Sequence, residues 1–154
     1  MSEADKPFKT LAMRWFQKAE NDLLNVHNNL DAERYSTDTV CFHCQQAAEK
    51  YLKGFLAWHQ IPFAKTHDLA ALLQQLKDLV GEEANHLLSS ILLLDDYSVS
   101  IRYPQEYESE PDEEEVREAL QAAMTVRAWV RSRVLRGDST DLDSTNTHTS
   151  PPAD

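Results

Sequence analysis

Glu83-Ala84-Asn85-His86 puts a carboxylate and an imidazole three residues apart, a spacing at which both reach one face of a helix and can share a metal. A di-metal site in a helical bundle needs two such motifs, and a Glu from each of two further helices. None of the other five histidines has Asp or Glu three positions before it, so the motif stands alone. Cys41, His43 and Cys44 form the next cluster. The two cysteines share a helix face and His43 lies off it, which is a poor start for a tetrahedral zinc site. Asp95 and Asp96, with Glu106 and Glu108 nearby, could hold a hard cation, but acidic loops are ordinarily solvated. No metal and no other cofactor is expected. Lys65-Thr66-His67 stands where a helix begins. Free backbone N–H groups there, helped by a lysine, can take a phosphate. Alternatively, Thr66 and Asp68 satisfy those donors themselves. Arg127 and Arg131 share a face one turn apart near the end of the last apolar pattern. The dipole of a helix C-terminus accounts for cations there, and docking of an acidic partner or nucleic acid is the other reading.

The elements that must carry these residues follow from apolar spacing. Ala12, Phe16, Ala19, Leu23, Val26 and Leu30 recur at three- and four-residue steps, predicting a helix that starts near Lys9 or Thr10, after Pro7. A second helix carries Val40, Cys44, Ala47, Ala48, Tyr51, Phe55 and Trp58, capped by Ser36 or Thr37 and closed before Ile61-Pro62. Thr66 is suited to cap a third, with Leu69, Leu72, Leu73 and Leu76 inward and Gly81 at its end. A fourth is expected from about Glu82 to Ser100, and Pro104 forces a break. Ser109, followed by Glu110-Pro111-Asp112, reads as the start of the last helix, which runs to about Arg136. The fold class is all-α: an up-and-down helical bundle of four long helices plus a shorter one. Two segments share the chain, a helical domain over 1–136 and an acidic Ser/Thr/Asp/Pro tail over 137–154 that should be disordered.

The chain has 154 residues, one domain by length, with a formal net charge of −11. All 15 Lys and Arg precede Gly137, whereas four of the 26 acids follow it. The body therefore sets 15 cations against 22 acids, a net −7. That balance is a poor footprint for non-specific duplex binding, which relies on Lys and Arg displacing counterions. A disulfide between Cys41 and Cys44 would fight helical geometry, so both read as buried free thiols of a reducing compartment. No membrane-spanning apolar run occurs, and a cytoplasmic location is expected.

Plain amphipathic helices do not require the order Cys41-Phe42-His43-Cys44-Gln45-Gln46-Ala47-Ala48-Glu49-Lys50-Tyr51-Leu52-Lys53-Gly54, followed by Lys65-Thr66-His67-Asp68-Leu69. With Ala19-Glu20-Asn21-Asp22-Leu23 before it and Tyr97-Ser98-Val99-Ser100-Ile101-Arg102-Tyr103-Pro104 after it, the chain resembles the HEPN family of small helical domains (higher-eukaryote and prokaryote nucleotide-binding). The four blocks span about Ala12 to Val134.

Active members of that family carry an Arg followed four to six residues later by His, forming a metal-free ribonuclease site completed across a dimer. In such a site His moves protons around the attacking 2′-hydroxyl, and Arg stabilises charge on the phosphate. Here Arg102 is followed by no His in that window; Tyr107 stands there instead, and a phenol titrating near 10 is a weak base at neutral pH. Arg102 then either contacts a nucleotide phosphate or fixes its loop through Asp95 or Asp96. The resemblance implies a homodimer, with Gly54 marking a close helix crossing inside the bundle or between subunits. It also implies a minimal nucleotidyltransferase as partner, in a toxin–antitoxin or stress module. AMP transfer by such a partner would make Tyr103 and Tyr107 candidate acceptors. The sequence thus points to a nucleotide-binding or protein-interaction module. The alternative is a metal-independent endoribonuclease acting on RNA through Arg102 and Tyr107.

Overall fold

Helix α1 (Lys6–Asp31) begins three residues ahead of the expected Lys9, because Pro7 is accommodated in its first turn. A proline there removes no helical hydrogen bond, since the first N–H groups have no acceptor within the helix. The computed structural model describes residues 2–63, 65–97 and 109–142, the last seven of these as backbone only. Arg102, Tyr103, Tyr107 and the segment 143–154 lie outside them.

Helix α2 (Thr37–Trp58) is the centre of the fold. Every residue from Ala47 to Ala57 except Lys50 is buried, because α1, α3, α4 and the last helix all pack against it. A helix covered on several sides loses the single-stripe pattern of a surface helix. Tyr51, Leu52, Phe55 and Leu56 make the middle of the core, with Val26, Leu72, Leu76, Ile91 and Val130 closing round them.

Helix α3 (Leu69–Val80) is capped by Asp68, not by Thr66. The Asp68 carboxylate accepts the Ala71 N–H at 3.2 Å, and the Thr66 hydroxyl oxygen accepts the Asp68 N–H one step earlier. Gly81 ends α3 with φ +71°, in the left-handed region open to glycine. The helix expected from Glu82 to Ser100 is divided. Gly81–Leu87 is 3₁₀, and α4 covers Leu88–Asp95. Ala84 and Leu87, three apart and both buried, follow the three-residue repeat of a 3₁₀ turn.

The last helix, α5 (Glu113–Leu142), begins at a reciprocal cap centred on Asp112, not at the expected Ser109. The Asp112 N–H donates to Glu115 Oε2 and the Glu115 N–H to Asp112 Oδ1, each at 2.8 Å. The helix continues to Leu142, beyond the Arg136 end that the apolar pattern predicts. The architecture is the expected all-α bundle, and no strand occurs among the described residues. None of the described helices is long and apolar enough to cross a membrane.

Candidate functional site

Three positions one helical turn apart on α2, Gln45, Glu49 and Lys53, are polar yet buried, with Glu49 2% and Lys53 6% exposed. A charge in the core must be paired, and these are. Lys53 Nζ lies 3.8 Å from Glu49 Oε2, while Glu49 Oε1 meets His67 Nδ1 at 2.8 Å. Gln45 Nε2 donates to the His67 carbonyl at 3.3 Å. The lysine ammonium also faces two rings, 5.4 Å from the Trp15 centroid and 5.9 Å from Phe63. Trp15 and Phe63 meet edge to face at 5.9 Å. The sequence order Gln-x-x-x-Glu-x-x-x-Lys thus becomes one internal polar line that ties the segment before α3 onto α2.

A second polar cluster joins α1 to α2. Asp22 of α1, 7% exposed, accepts from Lys50 Nζ at 2.5 Å and contacts His43 Nδ1 at 2.9 Å. His43 is therefore held by a carboxylate on the neighbouring helix, away from the cysteines. Both thiols are buried in apolar surroundings that disfavour the thiolate, pushing Cys41 up to about 11 and Cys44 up to about 12. Among the described residues no three His, Cys, Asp or Glu side chains gather as metal ligands do. Glu83 pairs with Arg133 at 2.5 Å, and His86 is exposed.

Between these clusters α1 and α2 leave an open groove of about 330 Å³, lined by Leu11, Arg14, Trp15, Lys18 and Lys50. Arg14 and Lys18, one turn apart on α1, have no hydrogen-bond or ion-pair partner among the described residues. Several of the other cations are neutralised. Arg127 Nε lies 2.7 Å from Glu20 Oε1, and Arg117 pairs with Glu114. Three cationic residues, one of them held by Asp22, thus border an apolar groove beside an indole ring on a protein of net −11. Such an arrangement favours an anion bearing a flat ring.

The Lys65-Thr66-His67 segment is arranged differently from an anion nest. The Leu69 N–H donates to Asp95 Oδ1 at 3.2 Å and the Ala71 N–H to Asp68, so donors at the start of α3 face protein carboxylates. Burial raises the Asp95 carboxyl above its ordinary range, against the opposing effect of the Leu69 N–H. His67 turns to Glu49, and Lys65 is exposed. Arg102 and Tyr107, the residues singled out for phosphate and proton work, and Tyr103, lie outside the described residues. Sequence reasoning missed Asp22, Arg14, Trp15 and Lys18. Arg14, Lys18 and Asp22 stand at successive i,i+4 steps on α1, a polar row beside the apolar stripe of that helix, and Trp15 adjoins it.

The Arg127–Arg131 strip is corrected by the length of α5. Leu142 lies well over a turn beyond Arg131, and a dipole acts only within the last turn. These arginines instead reach across to Glu20 on α1, with Arg131 at 3.7 Å. Gly54 is likewise settled as an intramolecular contact, since a Cβ there would meet the Phe16 ring of α1.

Comparison with known proteins agrees with this architecture. Among curated proteins none matches the chain. The crystal structure of TT1696 from Thermus thermophilus is similar, with 30% identity and a TM-score of 0.65 over 79% of this chain and 96% of that one. The model of the HEPN domain family matches residues 12–133, from the first core alanine of α1 to the arginine that pairs with Glu83. This chain belongs to the HEPN domain family.

Proposed function

We propose that this HEPN domain is a nucleotide-binding module without catalytic activity of its own, working beside a minimal nucleotidyltransferase in a toxin–antitoxin or stress pair. The observation that carries the nucleotide reading is the α1–α2 groove. Arg14 and Lys18, unpaired among the described residues, line it together with Trp15 and Lys50. Phosphate oxygens suit two unpaired cations, and a base suits the indole face. Lys50 is already held by Asp22, so Arg14 and Lys18 supply the free donors. The partnership rests on the family resemblance. A homodimer rests on the same ground, because Gly54 no longer asks for a second subunit.

Binding of ATP, followed by calorimetry on the full chain, tests the reading against adenosine. ATP should bind, and Arg14→Gln/Lys18→Gln should weaken it by about tenfold or more, the effect of losing a charge-assisted hydrogen bond. Adenosine should bind far more weakly. An unchanged affinity in that variant, with loss of binding in Arg102→Ala, would move the site to Arg102. Incubation with structured and single-stranded RNA, without divalent metal, runs alongside. Cleavage that disappears in Arg102→Ala would overturn the non-catalytic reading and restore the ribonuclease. AMP transfer onto Tyr103 or Tyr107 by a neighbouring nucleotidyltransferase would support the pairing.

A further inference from the structure

Helices α1 and α5 both pack on α2 but hardly meet each other, so a slot remains between them, distinct from the α1–α2 groove. The slot has a volume of about 220 Å³, and its floor is Phe16 stacked on the buried Tyr51 with centroids 5.8 Å apart. Val130 and Val134 form one wall. Met13 and Leu135 stand at the mouth, 55% and 56% exposed, large apolar side chains left in water at the edge of a concave apolar surface. A small concave site of this kind, apolar with a few convergent polar groups, is how proteins bind small organic molecules.

The polar groups define the ligand's charge. Glu20 Oε1 accepts from the Tyr51 hydroxyl and from Arg127 Nε at 2.7 Å. Arg131 approaches the same oxygen only to 3.7 Å, too far for a hydrogen bond, and is half exposed. Arg127, which is not part of the slot lining, thus neutralises Glu20, and Arg131 is the guanidinium left facing the slot. A cationic ligand would meet net repulsion there. A neutral apolar ligand would cover the Arg131 donors without satisfying them, at an energetic penalty. An anionic group satisfies them.

We propose that the α1–α5 slot binds a small amphipathic organic anion, its apolar body against Phe16, Val130 and Val134 and its carboxylate or sulfonate on Arg131. This site uses the face of α1 that bears Met13 and Glu20, whereas Arg14 and Lys18 line the other groove, so the two stand or fall separately.

Anilinonaphthalenesulfonate, an apolar anion that fluoresces when removed from water, is the probe, titrated against the full chain. Saturable enhancement is expected, displaced by octanoate and not by octylamine at equal concentration. Arg131→Gln, at a half-exposed position, should weaken binding by about tenfold, the loss of one charge-assisted contact. Leu135→Glu, which sets a like charge at the mouth, should weaken it as well. Arg14→Gln/Lys18→Gln should leave the octanoate-displaced part of the signal unchanged, since octanoate carries no ring for the α1–α2 groove. Circular dichroism and melting temperature establish that each variant is folded, so enhancement cannot come from a loosened core. Absence of saturable enhancement overturns the proposal. So does equal displacement by octylamine, unchanged affinity in Arg131→Gln, or loss of the octanoate-displaced signal in the Arg14/Lys18 variant.

Discussion

The Phe16 ring of α1 occupies the space that a side chain on Gly54 of α2 would need. A Cβ at Gly54 would sit 2.5 Å from Phe16 Cε1 and 3.1 Å from Trp15 Cβ. The absent side chain lets the two helices approach closely at the point where Trp15 and Phe16 turn to opposite sides of the crossing.

Gly54→Ala should therefore destabilise the fold, although alanine is the better helix former by about 1 kcal/mol. Making room means displacing a ring stacked on Tyr51, and overpacking a core typically costs about 1–3 kcal/mol. Urea unfolding should show a net loss of up to about 2 kcal/mol, with Gly54→Val worse. A stabilised Gly54→Ala protein would mean that α1 can shift freely at this crossing.

Glu49 and Lys53 should behave as a coupled pair. Removing one partner from a buried ion pair strands the other charge, at about 3–5 kcal/mol. Glu49→Gln and Lys53→Met should each be strongly destabilising, and the double variant much less so than their sum. Strict additivity in a double-mutant cycle would contradict the coupling.

Tyr51→Phe removes the hydroxyl that donates to Glu20 and leaves the ring packing intact. Glu20 keeps Arg127, so the expected loss is about 1–2 kcal/mol, near the lower part of the range for hydrogen bonds to charged groups. Thermal unfolding of this variant beside Arg127→Gln measures it. A loss above that of a core truncation would show that the ring itself has moved.

The raised thiols give a pH dependence. Cys41 and Cys44 are shifted by burial to about 11 and about 12 from an ordinary 9.0. An unfolded chain ionises at the lower pH, so it gains from each rise above that value while the folded chain does not. Stability carried by the thiols should be complete below pH about 9 and fall as pH climbs towards 11–12. Replacing both with alanine or serine should flatten that slope. Thiol reagents at pH 8 should modify neither cysteine until denaturant is added, and rapid labelling of the native protein would refute the burial.

Local rules reached the helices because each carries its own repeat. Ala12–Val26, Val40–Phe55 and Leu69–Leu76 state a 3.6-residue period that no strand could satisfy, and the Gln45-to-Gly54 order pointed to the family. Boundaries were less legible. Asp68 and Thr66 are both sound caps by type, and only the path of the chain brings the Asp68 oxygen to the Ala71 N–H. The continuation of α5 to Leu142 has no apolar signal to announce it. The site depended still more on tertiary structure. Glu49 and Lys53 read alike as a surface pair or a buried one, since i,i+4 spacing says nothing about what covers the helix. Arg14 and Lys18 became a candidate anion site only because α2 sets Lys50 beside them and leaves them unpaired among the described residues. The sequence by itself determined the family, the all-α class and the helices, whose information is local and periodic. Which charges lie inside, which pair and which face an open groove was decided by the packing of α1, α2 and α5, because burial and electrostatic pairing depend on residues far apart in the chain.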